Sequence, residues 1–303
     1  MTRFRYLHLD VFTERAFEGN QLAVFPDARG IDERVMQPLA REMAFSETVF
    51  MLPPVTGTAQ KRLRIFTPGR ELPMAGHPTI GSAFVWAQEY AAGTTPPAIV
   101  FDMGVGPIRV ALEWRDGTLQ FAWMHQPTPV FGDVLDARAT AALAEALHLP
   151  ASTVFAAPPE IVGSGVPYLF APLQSEAEVD ASVPDATRLS AMFDEIGCAE
   201  TGVFLFARTA RPDATLYSRM FAPMFGIQED PATGSASGPL GAYALTHGLV
   251  TTGEAGQLVS LQGVKMGRPS YIHIAVTGTP ARIEAVKIGG TSRFVAEGML
   301  TLP

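Results

Sequence analysis

Cysteine is almost absent: Cys198 is the only one in 303 residues, so no intrachain disulfide can form. A reducing, cytoplasmic setting is the expectation. Basic charge is also scarce, with 22 Lys and Arg against 30 Asp and Glu, a net charge of −8, and no run of basic residues. Nucleic acid, whose phosphates call for a basic stripe, is therefore not an expected partner. No uninterrupted apolar stretch reaches the roughly 20 residues of a membrane span. The opening Met1-Thr-Arg-Phe-Arg-Tyr-Leu-His-Leu-Asp10 mixes charges into its apolar residues and lacks a signal-peptide core. The six histidines form no i, i+4 pair and have no cysteine partner, and neither a phosphate loop nor a Gly-x-Gly-x-x-Gly turn follows a strand pattern. A zinc site and a nucleotide-binding turn are therefore not expected.

The chain is instead rich in apolar residues, at 47% against 17% charged, which suits a packed globule. Its length fits two lobes of about 150 residues each. Two glycine turns support that division: Gly76-His77-Pro78-Thr79-Ile80-Gly81 and Gly234-Ser235-Ala236-Ser237-Gly238. Neither 76–87 nor 231–250 contains a charged residue, the mark of a helix buried all round. A helix start leaves free N–H groups and the positive end of the dipole, which favour a bound anion.

The segments before each turn agree in order. Ser46-Glu47-Thr48, Arg64-Ile-Phe66-Thr-Pro68 and Gly76 correspond to Ala199-Glu200-Thr201, Arg219-Met-Phe221-Ala-Pro223 and Gly234, offset by 153 residues at the glutamates and 158 at the glycines. This predicts a degenerate duplication with lobes 1–127 and 128–303, the last strands being free to pack back on the first lobe. Strands are expected at Thr48–Leu52, Arg62–Phe66, Ile108–Leu112, Leu119–Trp123, Val203–Phe206, Leu216–Phe221, Tyr271–Val276 and Arg282–Ile288. Peripheral helices are expected at Glu33–Met43, Ala137–Leu147 and near Thr187–Asp194, and Asp116-Gly117 reads as a hairpin turn. The pattern predicts an α+β fold of two pseudo-symmetric lobes, each a mixed sheet or barrel around a central apolar helix. A regular parallel doubly wound sheet is disfavoured.

Four residues could carry chemistry. Glu47 shares its strand face with Phe45, Val49 and Met51, and burial suits a carboxyl group to proton transfer. The competing reading is a solvated or Arg-paired edge residue. His77 stands at a helix start, where the dipole favours the neutral imidazole, or it is a mere cap. Asp230 and Ser235 flank the second turn and are either site residues or ordinary turn chemistry. The duplication raises all four together. A serine hydrolase using Ser237 is the weak alternative, because Gly234-Ser-Ala-Ser-Gly238 is one place out of step with Gly-x-Ser-x-Gly and no apolar strand precedes it.

These motifs resemble the phenazine-biosynthesis isomerase (PhzF-like) family, which shares its fold with diaminopimelate epimerase. The resemblance runs nearly end to end, through Asp10-Val-Phe-Thr13, Gly19-Asn20, Glu71-Leu-Pro-Met-Ala-Gly-His-Pro-Thr79, Gly165-Val-Pro-Tyr168, Glu229-Asp-Pro-Ala-Thr-Gly-Ser-Ala236 and Gly267-Arg-Pro-Ser270. It implies a cofactor- and metal-independent isomerase, homodimeric, with its site in a cleft between lobes. Glu47 would move a proton, and with it a double bond, in a small carboxylic acid, cyclic ones included. His77, Asp230 and Ser235 would surround the substrate, Gly76 and Gly234 would offer N–H groups to its carboxylate, and Asn20 would be a further contact. Diaminopimelate epimerase carries a cysteine beside each turn; Ala75 and Thr233 stand there in this chain, which excludes a two-thiol racemase. A non-catalytic carboxylate-binding protein remains the alternative.

Overall fold

Residues 2–302 are described by the computed structural model. They divide into two compact units: the residues up to Gln126 together with those from Lys287 on, and Pro127–Val286. Both are mixed α+β.

The first unit is organised by the Gly76–Tyr90 helix, in which every residue from Gly76 to Trp86 is buried. With no charged side chain in that stretch, each turn can face protein, and burial of Ile80, Phe84 and Val85 contributes roughly 1.5–3 kcal/mol each. The helix lies on strands Thr2–Val11, Asn20–Phe25 and Thr118–Gln126. Close approach needs Gly81, since a Cβ there would press on the Leu22 and Val11 side chains. Thr2–Val11 pairs antiparallel with both Ser292–Leu302 and Asn20–Phe25. Asn20–Phe25 runs parallel to Glu47–Leu52 after the Glu33–Met43 helix. Next come Lys61–Phe66, antiparallel, then the short Glu71–Leu72. The central helix leads to Ala98–Met103, parallel to Lys61–Phe66, and two antiparallel strands, Gly106–Arg115 and Thr118–Gln126, complete the set.

The second unit repeats this order. Glu160–Gly163 pairs with Val130–Val134 and Pro167–Pro172. Helices Glu176–Ala181 and Ala186–Ile196 lead to Gly202–Arg208, parallel to Pro167–Pro172. Leu216–Ala222 and Ile227–Asp230 follow antiparallel. The buried Gly234–Thr246 helix then precedes Leu258–Gln262, parallel to Leu216–Ala222, and Ser270–Thr279.

Individual bonds repeat as well. In the first unit Arg64 grips Glu71 with Nε and Nη2 at 2.8 and 2.7 Å; in the second Arg219 grips Glu229 at 3.0 and 2.8 Å. The Thr79 hydroxyl donates to the Ala75 carbonyl at 2.5 Å, and Ser237, 158 residues on, donates to the Thr233 carbonyl at 2.9 Å. Ser237 is fully buried and thus a helix-start anchor, so the Ser237 nucleophile reading fails on geometry.

Strand register corrects the sequence alignment at one position. Thr48 faces Phe66 as Val203 faces Phe221, an offset of 155. Glu47, opposite Leu22, therefore matches Gly202, opposite Tyr168, and not Glu200. Glu200 is exposed and accepts a hydrogen bond from Ser190. All eight expected strands and three expected helices are present, within a few residues at their ends. Thr2–Val11 and Ser292–Leu302 are strands that the sequence patterns did not suggest.

Candidate functional site

Three of the expected residues meet in the first unit. Glu47 opens its strand and His77 is the second residue of the central helix. His77 Nε2 lies 3.1 Å from Glu47 Oε2, with side chains 3% and 14% exposed. Their alignment falls short of a hydrogen bond. On the other side of the ring, Asn20 Nδ2 stands 3.3 Å from His77 Nδ1. Burial pushes the His77 ring down to about 3, offset only in part by a backbone hydrogen bond at Gln21. The imidazole is neutral throughout the physiological range.

This has a consequence for acid stability. The unfolded His77 takes up its proton near pH 6.5 and the folded one near 3, so the unfolded chain binds more protons in that window and stability falls as pH drops through it. At pH 4.5 this one residue costs about 2–3 kcal/mol relative to pH 8. Urea unfolding of the parent and His77→Gln at both pH values should show a smaller acid loss in the variant. Equal losses would contradict a buried neutral imidazole.

The other two expected residues flank the central helix start of the second unit. Asp230 ends its strand, 8% exposed, and its Oδ2 accepts from the Thr233 hydroxyl at 2.6 Å. Ser235, one residue beyond Gly234, shares a hydrogen bond of 2.7 Å with the Tyr168 hydroxyl. Gln262, fully buried at the end of Leu258–Gln262, bonds the Asp230 carbonyl and both the N–H and hydroxyl of Thr233. Thr233, Tyr168 and Gln262 were not singled out as site residues from sequence. The available signal was weak: a polar residue closing an apolar strand, and a tyrosine in an apolar run.

Gly202 explains why the second unit has no counterpart of Glu47. A Cβ there would lie 3.0 Å from the Tyr168 ring and 3.2 Å from Met220 sulfur. The space that an acid would need is filled by the ring whose hydroxyl holds Ser235. Among the described residues no group of three or more His, Cys, Asp or Glu is placed to hold a metal, and no helix is long and apolar enough to cross a membrane.

The family model described as phenazine biosynthesis-like protein matches residues 9–298. The chain belongs to the phenazine biosynthesis-like (PhzC-PhzF) family. Within the family it is 36% identical over 294 residues to a trans-2,3-dihydro-3-hydroxyanthranilate isomerase of Pseudomonas aeruginosa, covering 97% of this chain and 98% of that one. Among solved structures, a PhzF-family protein of Bacillus anthracis superposes with a TM-score of 0.87 at 24% identity, each chain covered in full. A protein of Pseudomonas aeruginosa described as a predicted epimerase superposes with a TM-score of 0.83 at 32% identity, covering 99% and 100%. This family membership makes the chain an isomerase, and the two-unit α+β fold is the family's.

Proposed function

We propose that the chain is a cofactor-independent isomerase that shifts a proton, and with it a double bond, in a small cyclic carboxylic acid. The observation that carries this reading is Glu47 at 3.1 Å from a buried, neutral His77. A carboxylate in that place takes a proton from a carbon conjugated to the substrate's carboxylate. The electron pair left behind spreads into the conjugated system, and the same group returns the proton to a different carbon, relocating the double bond. A neutral imidazole beside that carboxylate brings a polar surface to the reacting carbons without bringing a charge. Each unit brings its own polar helix start to this scheme: Gly76 offers N–H groups to a carboxylate, and in the second unit Gly234, Asp230 and Ser235 offer an N–H, a carboxylate and a hydroxyl to polar substituents. Asn20, beside the His77 ring, is a further contact for the substrate in this scheme.

The substrate class follows from the relatives named for trans-2,3-dihydro-3-hydroxyanthranilate. The test is incubation with that compound in D2O, followed by mass spectrometry of substrate and product. Deuterium incorporation with isomerisation supports the reading. Tight binding by calorimetry without exchange, for this compound and a panel of small cyclic dienoic acids, would establish a binding protein instead. Ser237→Ala is expected to leave turnover within about twofold, and a fluorophosphonate probe should label neither form, because the Ser237 hydroxyl is buried and committed to the Thr233 carbonyl.

A further inference from the structure

The network under Asp230 has one possible arrangement of its hydrogens. The Thr233 N–H can only donate, so the group facing it at 3.1 Å must be the amide oxygen of Gln262. The Gln262 nitrogen then faces the Asp230 carbonyl at 2.7 Å and the Thr233 hydroxyl oxygen at 2.9 Å. Because that nitrogen only donates, the Thr233 oxygen accepts from it, and the single hydroxyl proton is left for Asp230 Oδ2 at 2.6 Å. Gln262 therefore directs Thr233, and Thr233 directs the carboxylate. All three residues are buried.

The first unit shows what the same frame looks like without this device. The matched ladders (Ile65 opposite Leu72, Met220 opposite Asp230) make Leu72 the counterpart of Asp230. Ala75 and Thr233 are the helix caps, each accepting the hydroxyl four residues on. The parallel pairs Lys61 with Phe101 and Leu216 with Ser260 put Met103 at the place of Gln262. Leu72, Ala75 and Met103 thus replace Asp230, Thr233 and Gln262 together. A helix start of this fold needs none of the three polar groups for its own packing.

We infer that Thr233 and Gln262 are positioning residues for the reaction, fixing the Asp230 carboxylate for the substrate's polar group. The turnover arm of the test rests on the isomerase reading; the structural arm does not. Thr233→Ala and Gln262→Met install what the first unit already folds with, so folding is expected to survive, as thermal unfolding will report. Each should reduce turnover of trans-2,3-dihydro-3-hydroxyanthranilate by about 10- to 100-fold, the usual effect of misplacing a group by around an ångström. Thr233→Ser should restore it to within about threefold, since only the hydroxyl is needed. In an Asp230→Asn background, Thr233→Ala should change turnover by less than about twofold, because its effect passes through the carboxylate.

Crystal structures of the parent and Thr233→Ala supply the second arm, with the Asp230 carboxylate expected to rotate in the variant. An unmoved carboxylate, full activity in Thr233→Ala, or equal losses in the Asp230 and Asp230→Asn backgrounds would overturn the inference. If the parent turns over no probe, the substrate reading fails on its own and the position of the carboxylate alone decides.

Discussion

Glu47→Gln is expected to lower turnover by roughly 10²–10⁴-fold, the usual contribution of a placed acid/base group. The amide keeps the shape of the side chain and its place beside His77, so binding of substrate, read by calorimetry, should change only a few-fold. Solvent deuterium should no longer enter the substrate. The second unit offers no rescue, since its matched position is Gly202 and the adjacent space holds the Tyr168 ring. One base implies one face: in the parent, the proton removed and the proton returned should lie on the same side of the ring, as NMR of the deuterated product would show. A Glu47→Gln protein retaining more than about a tenth of parent turnover would remove Glu47 from the chemistry.

Much of the fold was legible in the sequence because two repeated, sharply punctuated turns mark its central helices. Gly76 and Gly234 mark both central helices, and the absence of charge in the next dozen residues shows that they are buried all round. His77 and Glu47 could be linked by the resemblance, but their 3.1 Å approach required the fold. The duplicated Glu-Thr pair misled, because matching letters placed Glu200 at Glu47's position while the chain inserts two residues before Gly202. Pairing register, which fixes which side chain faces which, has no signature in composition. Thr2–Val11 was missed for a related reason. Its partner Ser292–Leu302 lies at the far end of the chain and its outer face carries Arg3 and Arg5, so neither strand has a strong local signal. Thr233 and Gln262 read individually as turn and strand-end residues; only their shared bonds to Asp230 give them a role.

Arg219→Met is expected to destabilise the protein by about 3–5 kcal/mol, and its counterpart Arg64→Met by about 1 kcal/mol. The two arginines make the same forked bond to a glutamate, but their surroundings differ. Side chains of Arg219 and Glu229 are 10% and 13% exposed, whereas those of Glu71 and Glu33, which hold Arg64, are 41% and 75% exposed. Arg219 also donates Nη1 to the carbonyls of Val179, Asp180 and Ser182 at 3.1, 3.2 and 2.9 Å. Val179 and Asp180 lie in the last turn of the Glu176–Ala181 helix and Ser182 is its C-cap, where the dipole favours a cation. Removing Arg219 strands a largely enclosed Glu229 carboxylate and takes the cation from that helix end, while removing Arg64 leaves Glu71 and Glu33 free to hydrate. Urea unfolding of both variants decides the matter, and equal costs would contradict it. The double change Arg219→Met with Glu229→Leu should recover a large part of the loss, because most of the cost is an uncompensated charge and not the absence of an attraction. The duplicated ion pair has thus diverged with its setting: the same two residues that make a half-solvated contact in one unit tie a helix end to the sheet in the other.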